Sequence, residues 1–208
     1  MLSDEQILKR IRDKIDHPVT VRELLQAVRV PREQHQTFKR RITVLVAAGA
    51  LIRTRGNRYG LPDKMNLVVG RADVNPRGFG FVVPERAPAG VAGDIYVAGV
   101  NLNQAMHGDR VVVGIEHRKG DRAEGRIVRI LERAVAAVTG RYDIDDSGLG
   151  FVAPFDRRLL MDVHIPKGAH GGAEPGEMVD VELTRWPTPT RSAIGRVVEV
   201  LGDIDTPG

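Results

Sequence analysis

The 208-residue chain has no cysteine, which excludes a disulfide framework, thiolate metal sites and cysteine nucleophiles, and is compatible with a reducing compartment. No apolar run approaches the roughly 20 residues that span a bilayer. The opening, MLSDEQILKR, places Asp4, Glu5 and Lys9 where a signal peptide carries an apolar stretch. These absences predict a soluble, cytoplasmic protein with no membrane partner. Aromatic residues make up only 4% of the chain, so any place where they gather needs a reason. Glycine and proline, by contrast, number 23 and 12 and supply many turns, as short-stranded β structure requires.

Charge is unevenly placed. Residues 1–61 hold 13 Lys and Arg against 6 Asp and Glu, a net of +7, while the whole chain nets only +4, so the remainder is slightly acidic. A basic segment is biased toward polyanions.

Within that segment Ser3 and Gln6 form a capping-box pattern ahead of Ile7, Leu8, Ile11 and Ile15, predicting an amphipathic helix over 4–16 that Pro18 ends. Thr20 and Glu23 repeat the pattern ahead of Leu24, Leu25 and Val28, giving a short second helix. Pro31 suits the first position of a third, with Phe38, Ile42, Leu45 and Val46 on one face and Gly49 as its terminator. The period then changes: LIRTRGNRYGL at 51–61 turns at Gly56-Asn57 and reads as a hairpin. Three helices and a hairpin within about 60 residues make a winged helix-turn-helix. Lys39, Arg40 and Arg41 on the third helix and Arg53, Arg55 and Arg58 on the hairpin fit contacts to a nucleic-acid backbone. The same charges also fit a protein-interaction or purely structural winged helix with solvated arginines.

The rest of the chain is duplicated. Gly70-Arg71 matches Gly140-Arg141, GFGFVVP at 78–84 matches GLGFVAP at 148–154, and GRIVRIL at 125–131 matches GRVVEVL at 195–201, all offset by 70 residues. DIYV at 94–97 and GDRVVV at 108–113 face DVHI and GEMVDV at an offset of 68. Each copy holds short Val- and Ile-rich alternating stretches without a long helix, which predicts two tandem five-stranded oligonucleotide-binding barrels, since closure hides edges that so small a sheet would expose. The expected division is 1–62 winged helix, 66–133 first barrel, 136–202 second barrel and 203–208 linker, within a mixed, mainly β fold.

Phe79 and Phe81, two apart on an expected strand, point to one face, and Gly80 between them leaves room for a ligand to approach the backbone. With Tyr96 they predict a platform for stacked bases, and Arg71 and Arg77 stand near enough to hold phosphates. The competing arrangement puts both rings inside the barrel. The second copy retains Phe151, has Leu149 and His164 in place of the other rings, and keeps Arg141, so it is expected to hold RNA more weakly or to act as a spacer.

GFGFV at 78–82 followed by DIYV resembles the paired aromatic strands of cold-shock domains, which bind single-stranded nucleic acid by stacking; Arg77 stands where those domains commonly have Lys, and Ala98 where they have His. Taken with RYGLP at 58–62 and the closing GDIDTPG at 202–208, the whole order resembles the amino-terminal region of the bacterial ribonuclease R family, a branch of the ribonuclease II exoribonucleases. That resemblance implies a region guiding single-stranded RNA toward a hydrolytic 3′–5′ exoribonuclease centre. Structured RNA would be handled through the winged helix, and the ribosome or RNA-decay machinery would be a further partner. It places magnesium only in a catalytic domain beyond this chain, so no catalytic residue, metal ligand or cofactor is expected here. The alternative is a free-standing nucleic-acid-binding regulator or RNA chaperone.

Other chemistry finds no footing. The six histidines lack tight ligand spacing, no GxxxxGK[ST] loop is present, and the Asp143-Asp145-Ser147 start of a calcium-like loop has Pro154 where a bidentate Glu is needed.

Overall fold

Ser3 caps the first helix as its sequence requires: its hydroxyl accepts the Gln6 amide N–H while its own amide N–H donates to Gln6 Oε1 at 2.9 Å. In the structure, a computed structural model describing residues 2–203, this helix, α1, spans Asp4–Lys14. Thr20 and Glu23 close a second reciprocal cap ahead of α2 (Val21–Val28), each cap being worth about 1 kcal/mol. Pro31 does not start the third helix. It precedes a 3-10 turn over Arg32–Gln34, and α3 runs His35–Ala47, because the turn lets the chain leave Arg29, left-handed at φ 56°, and re-enter helical geometry.

Sequence reasoning missed β1 (Val19–Thr20), which pairs with β3 (Arg58–Gly60), itself paired with β2 (Ile52–Thr54), to give a three-stranded sheet β1-β3-β2. Two residues are too few to show a period. Gly56 and Asn57 both take positive φ at the wing's turn, which explains their identity. Ile7, Ile11, Leu24, Val28, Phe38, Ile42, Leu45 and Leu51 fill the core between the helices and this sheet, completing a winged helix.

The first barrel comprises β4 (Leu67–Val74), β5 (Gly80–Pro84), β6 (Ile95–Val97), β7 (Arg110–Lys119) and β8 (Arg122–Glu132), closed in the order β4-β5-β6-β8-β7. The second repeats it with β9 (Ala137–Ile144), β10 (Gly150–Pro154), β11 (Val163–Ile165), β12 (Met178–Arg185) and β13 (Ala193–Gly202). In each, the third strand pairs in parallel with the fifth and all other pairs are antiparallel. Valines and isoleucines that alternate inward, among them Val82, Ile95, Val111 and Ile127 in the first barrel and Val152, Val163, Val179 and Val181 in the second, are sealed from solvent. The expected linker at 203–208 lies, apart from Asp203, outside the described residues.

The Gly-Arg pairs that anchor the repeat acquire a structural reason. A side chain on Gly70 would run into the Val83 carbonyl, and one on Gly140 into the Ala153 carbonyl; Gly125 and Gly195 meet Gly114 O and Val181 in the same way. Each glycine faces inward where two strands press together, and the following arginine faces out. Replacing Gly70 or Gly140 with Ala therefore overpacks a closed barrel and is expected to lower stability by about 1–3 kcal/mol, read as a reduced denaturation midpoint; Arg71→Ala, on the outer face, is expected to change that midpoint far less.

Candidate nucleic-acid interface

On β5 the burial alternates, with Val82 sealed inside and Phe81 turned outward at 38% exposure. The rings therefore do not fill the barrel. Phe79 lies just before the strand rather than on it, yet its ring still joins the outer face. Phe81 pairs in register with Tyr96 of β6, and the three ring centroids form a triangle with sides of 5.7, 5.8 and 6.0 Å. Edge-to-face contacts at 82° and 67° hold Phe81 against its two neighbours, a favourable arrangement for aromatic quadrupoles. Gly80 does not serve a ligand as its position suggested. It faces inward, where a side chain would lie 3.0 Å from both Asp73 O and Leu102 Cδ2, so its smallness admits the barrel's own interior.

Arg71 and Asp73 project outward from β4, with Asp73 directly beside Phe81. The Arg71 guanidinium donates to Gly108 O at 3.1 Å. It also stands opposite Arg110, whose charge is answered by Glu85 through paired bonds of 2.5 and 3.0 Å; these hold the Glu85 carboxyl below its ordinary range. Arg77 sits at the tip of the β4–β5 turn, its amide N–H held by Asn75 Oδ1 at 2.9 Å, and its side chain is exposed and without a bond among the described residues.

A further cationic group was not foreseen. The β7–β8 hairpin carries His117, Arg118, Lys119 and Arg122 alongside Tyr96, and together they line a shallow cavity of about 330 Å³. The basic run HRKGDR was visible in the sequence, but its position was not. The neighbourhood depends on β6 pairing with β8, which sets Tyr96 beside Glu124, a residue 28 positions away. The platform is thus flanked by Arg77 at one loop and by this hairpin at another.

The equivalent face of the second barrel differs. Phe151 lies between Asp143 and His164 in register, Arg141 is ion-paired with Asp143 at 3.2 Å, and Leu149 is 53% exposed. No ring triangle forms there among the described residues; the barrel's tyrosine, Tyr142, is buried and stacks on His170 at 6.3 Å. Asp145, the acidic member closest to a metal-loop pattern, directs one oxygen to the Ser147 and Leu149 amides and the Ser147 hydroxyl. It closes its own turn, as Asn75 does in the first barrel, and these bonds hold its carboxyl below the ordinary range.

In the winged helix the six basic residues expected to contact a nucleic-acid backbone separate into two sets. Arg41 is half-buried and bound to Asp4 at 2.6 Å and to Leu2 O, so it ties α3 to α1. Arg53 donates to Asn57 across the wing, and Arg58 donates to Pro18 O at 3.3 Å. Lys39, Arg40 and Arg55 remain exposed, their side chains without a bond among the described residues.

Comparison with known proteins matches a profile for the ribonuclease B OB domain to residues 70–130 and one for the cold shock domain to residues 151–208. The chain is 37% identical over 205 residues to ribonuclease R of Escherichia coli, an alignment covering 97% of this chain and 24% of that protein. The chain belongs to the ribonuclease R family. Ribonuclease R of Acidithiobacillus ferrooxidans is 34% identical and aligns with all of this chain, which covers 47% of it; the chain thus spans between a quarter and a half of these relatives. Among solved structures, Mycoplasma genitalium RNase R in complex with ribose-methylated single-stranded RNA superimposes with a TM-score of 0.56 at 18% identity over 66% of this chain and 22% of that one. The yeast pseudonuclease Ssd1 gives 0.54 at 19% identity, covering 68% of this chain and 24% of its own. These two likenesses show the shared fold. No helix among the described residues is long and apolar enough to cross a membrane.

At the junction of the barrels Arg158 grips Asp156 through Nε and Nη2, at 3.0 and 2.8 Å, which lowers the Asp156 carboxyl to about 2. A carbon-detected NMR titration is expected to find its midpoint near that value, and Arg158→Ala to return it toward 3.8. Since the pKa is depressed, whatever this pair adds to stability is present above the ordinary carboxylate range and is lost as pH falls through about 2.

Proposed function

We propose that this region holds single-stranded RNA and delivers it to the catalytic centre of a hydrolytic 3′–5′ exoribonuclease. The carrying observation is the outward triangle of Phe79, Phe81 and Tyr96 with cationic loops on either side. Flat rings accept any base by stacking, while Arg71, Arg77, Arg118 and Lys119 draw in the phosphates, so binding tolerates every sequence a degrading enzyme meets. A duplex keeps its bases stacked inside and cannot use the platform, which sets the preference for single strands.

The second barrel adds Phe151, His164 and Arg141 as a weaker surface, because Asp143 already neutralises the arginine. The winged helix adds Lys39, Arg40 and Arg55 to the electrostatic footprint and engages structured RNA. The chain's own residues perform binding and delivery; hydrolysis and its magnesium belong to the catalytic domain of the family. Alignment of nearly the whole chain with ribonuclease R weighs against a free-standing regulator.

Fluorescence anisotropy with a labelled single-stranded RNA tests this reading. Alanine at Phe79, Phe81 or Tyr96 is expected to weaken binding by about 1–3 kcal/mol each, and Phe151→Ala by less. Unchanged affinity in all three platform variants overturns the platform. Neutralising Lys39, Arg40 and Arg55 together is expected to flatten the dependence of affinity on salt, since fewer counterions are released; an unaltered slope would make the winged helix a non-binding element.

A further inference from the structure

Two small barrels joined by a slack linker meet an extended ligand as independent modules, whereas two barrels held rigidly present one surface and bind a long strand without ordering themselves afresh. Here the connection between β8 and β9, residues 133–136, is fastened at every position. The Arg133 guanidinium donates from Nη1 to Asp109 Oδ2 at 2.9 Å and to Gln104 O at 3.0 Å, and from Nη2 across to Pro187 O of the second barrel at 2.8 Å. The Ala134 amide donates to the other Asp109 oxygen at 2.9 Å. Val135 O accepts the Trp186 indole N–H at 2.7 Å, and Ala136 O accepts the Leu183 amide at 2.9 Å.

Asp109 is the hub of this seam. It is 0% exposed, the one charged or polar residue among the described residues classed as buried, and its carboxylate also accepts the Met106 amide at 2.8 Å. Met106 belongs to the first barrel's β6–β7 connection, yet at 2% exposure it packs within the core of the second. Gly108 lets the linker come close, for a side chain there would lie 3.0 Å from Ala134 Cβ. The same segment reaches β4, the strand beside the platform: the Ala72 amide donates to Asp109 O, the Gly108 amide donates to Ala72 O, and Gly108 O receives the Arg71 guanidinium. On the exposed side of the seam Arg158 Nη1 stands 3.0 Å from His107 Nε2, and His107 Nδ1 lies 3.3 Å from Asp73, the residue beside Phe81.

We propose that Asp109 and Arg133 are positioning residues that lock the two barrels into one rigid unit, fixing the Arg158 loop of the second barrel at the border of the first barrel's aromatic platform. A strand long enough to leave the platform then meets the second barrel at a set distance, and the lock raises affinity for long RNA over short. This consequence rests on the RNA-binding reading above; the rigid lock does not.

The test uses the whole chain and two variants that leave both cores filled, Arg133→Met and Arg133→Lys. Residual dipolar couplings are expected to fit a single alignment tensor for both barrels in the parent and to require two in Arg133→Met, with Arg133→Lys intermediate. Two independent tensors in the parent overturn the lock whether or not RNA binds. Anisotropy is then measured with oligonucleotides of about 4 and about 12 residues. Arg133→Met is expected to leave the short one nearly unchanged and weaken the long one by about tenfold, the loss that follows when linked contacts become independent. Equal losses on both lengths, or none on either, overturn the positioning role. A parent that tumbles as one body but binds neither oligonucleotide overturns the RNA reading and leaves the lock standing.

Discussion

Each barrel closes only because two pairs of strands approach more tightly than any side chain permits. Gly70 and Gly125 in the first barrel and Gly140 and Gly195 in the second occupy those points, and the rest of the architecture follows from them. With the strands pressed together there, the valines between can meet across a narrow interior, and the residue after each glycine is forced outward. Arg71 and Arg141 are outward for that reason, as are Asp73 and Asp143 one alternation further on.

One scaffold thus offers two faces of different chemistry. In the first barrel the outward positions carry rings and the flanking loops carry cations that are largely uncompensated. In the second the corresponding turn is acidic, the arginine is paired, His164 stands where the first barrel has Tyr96, and the barrel's own tyrosine, Tyr142, lies in the core, where Gly150 leaves space for its ring. Duplication preserved the closure, which tolerates no variation, and released the surface, which does. The division of labour between the barrels is a consequence of where the constraint lies.

The winged helix illustrates a similar sorting of charge. The six basic residues expected to contact a nucleic-acid backbone look alike in the sequence, but Arg41 is drawn inward by Asp4, and Arg53 and Arg58 are tethered by Asn57 and the Pro18 carbonyl. A guanidinium committed to intramolecular acceptors contributes its charge to the field but not its full hydrogen-bonding capacity to a ligand. Within this domain Lys39, Arg40 and Arg55 keep that full capacity.

Much of this protein was legible in its sequence because the governing signals are local or repeated. Capping boxes at Ser3 and Thr20 fixed two helix starts, the Gly56-Asn57 turn fixed the wing, and the 70-residue offset fixed the duplication. The alternation Phe-Gly-Phe fixed that both rings share a face. What it left open was which face, whether the glycine serves ligand or core, and which loops stand beside the rings. Those were decided by tertiary structure, since they depend on strand pairings such as Tyr96 with Glu124 and on the Asp109 and Arg133 seam, contacts between residues more than 20 positions apart. Periodicity says how side chains alternate along a strand; only closure of the sheet gives that alternation an inside and an outside.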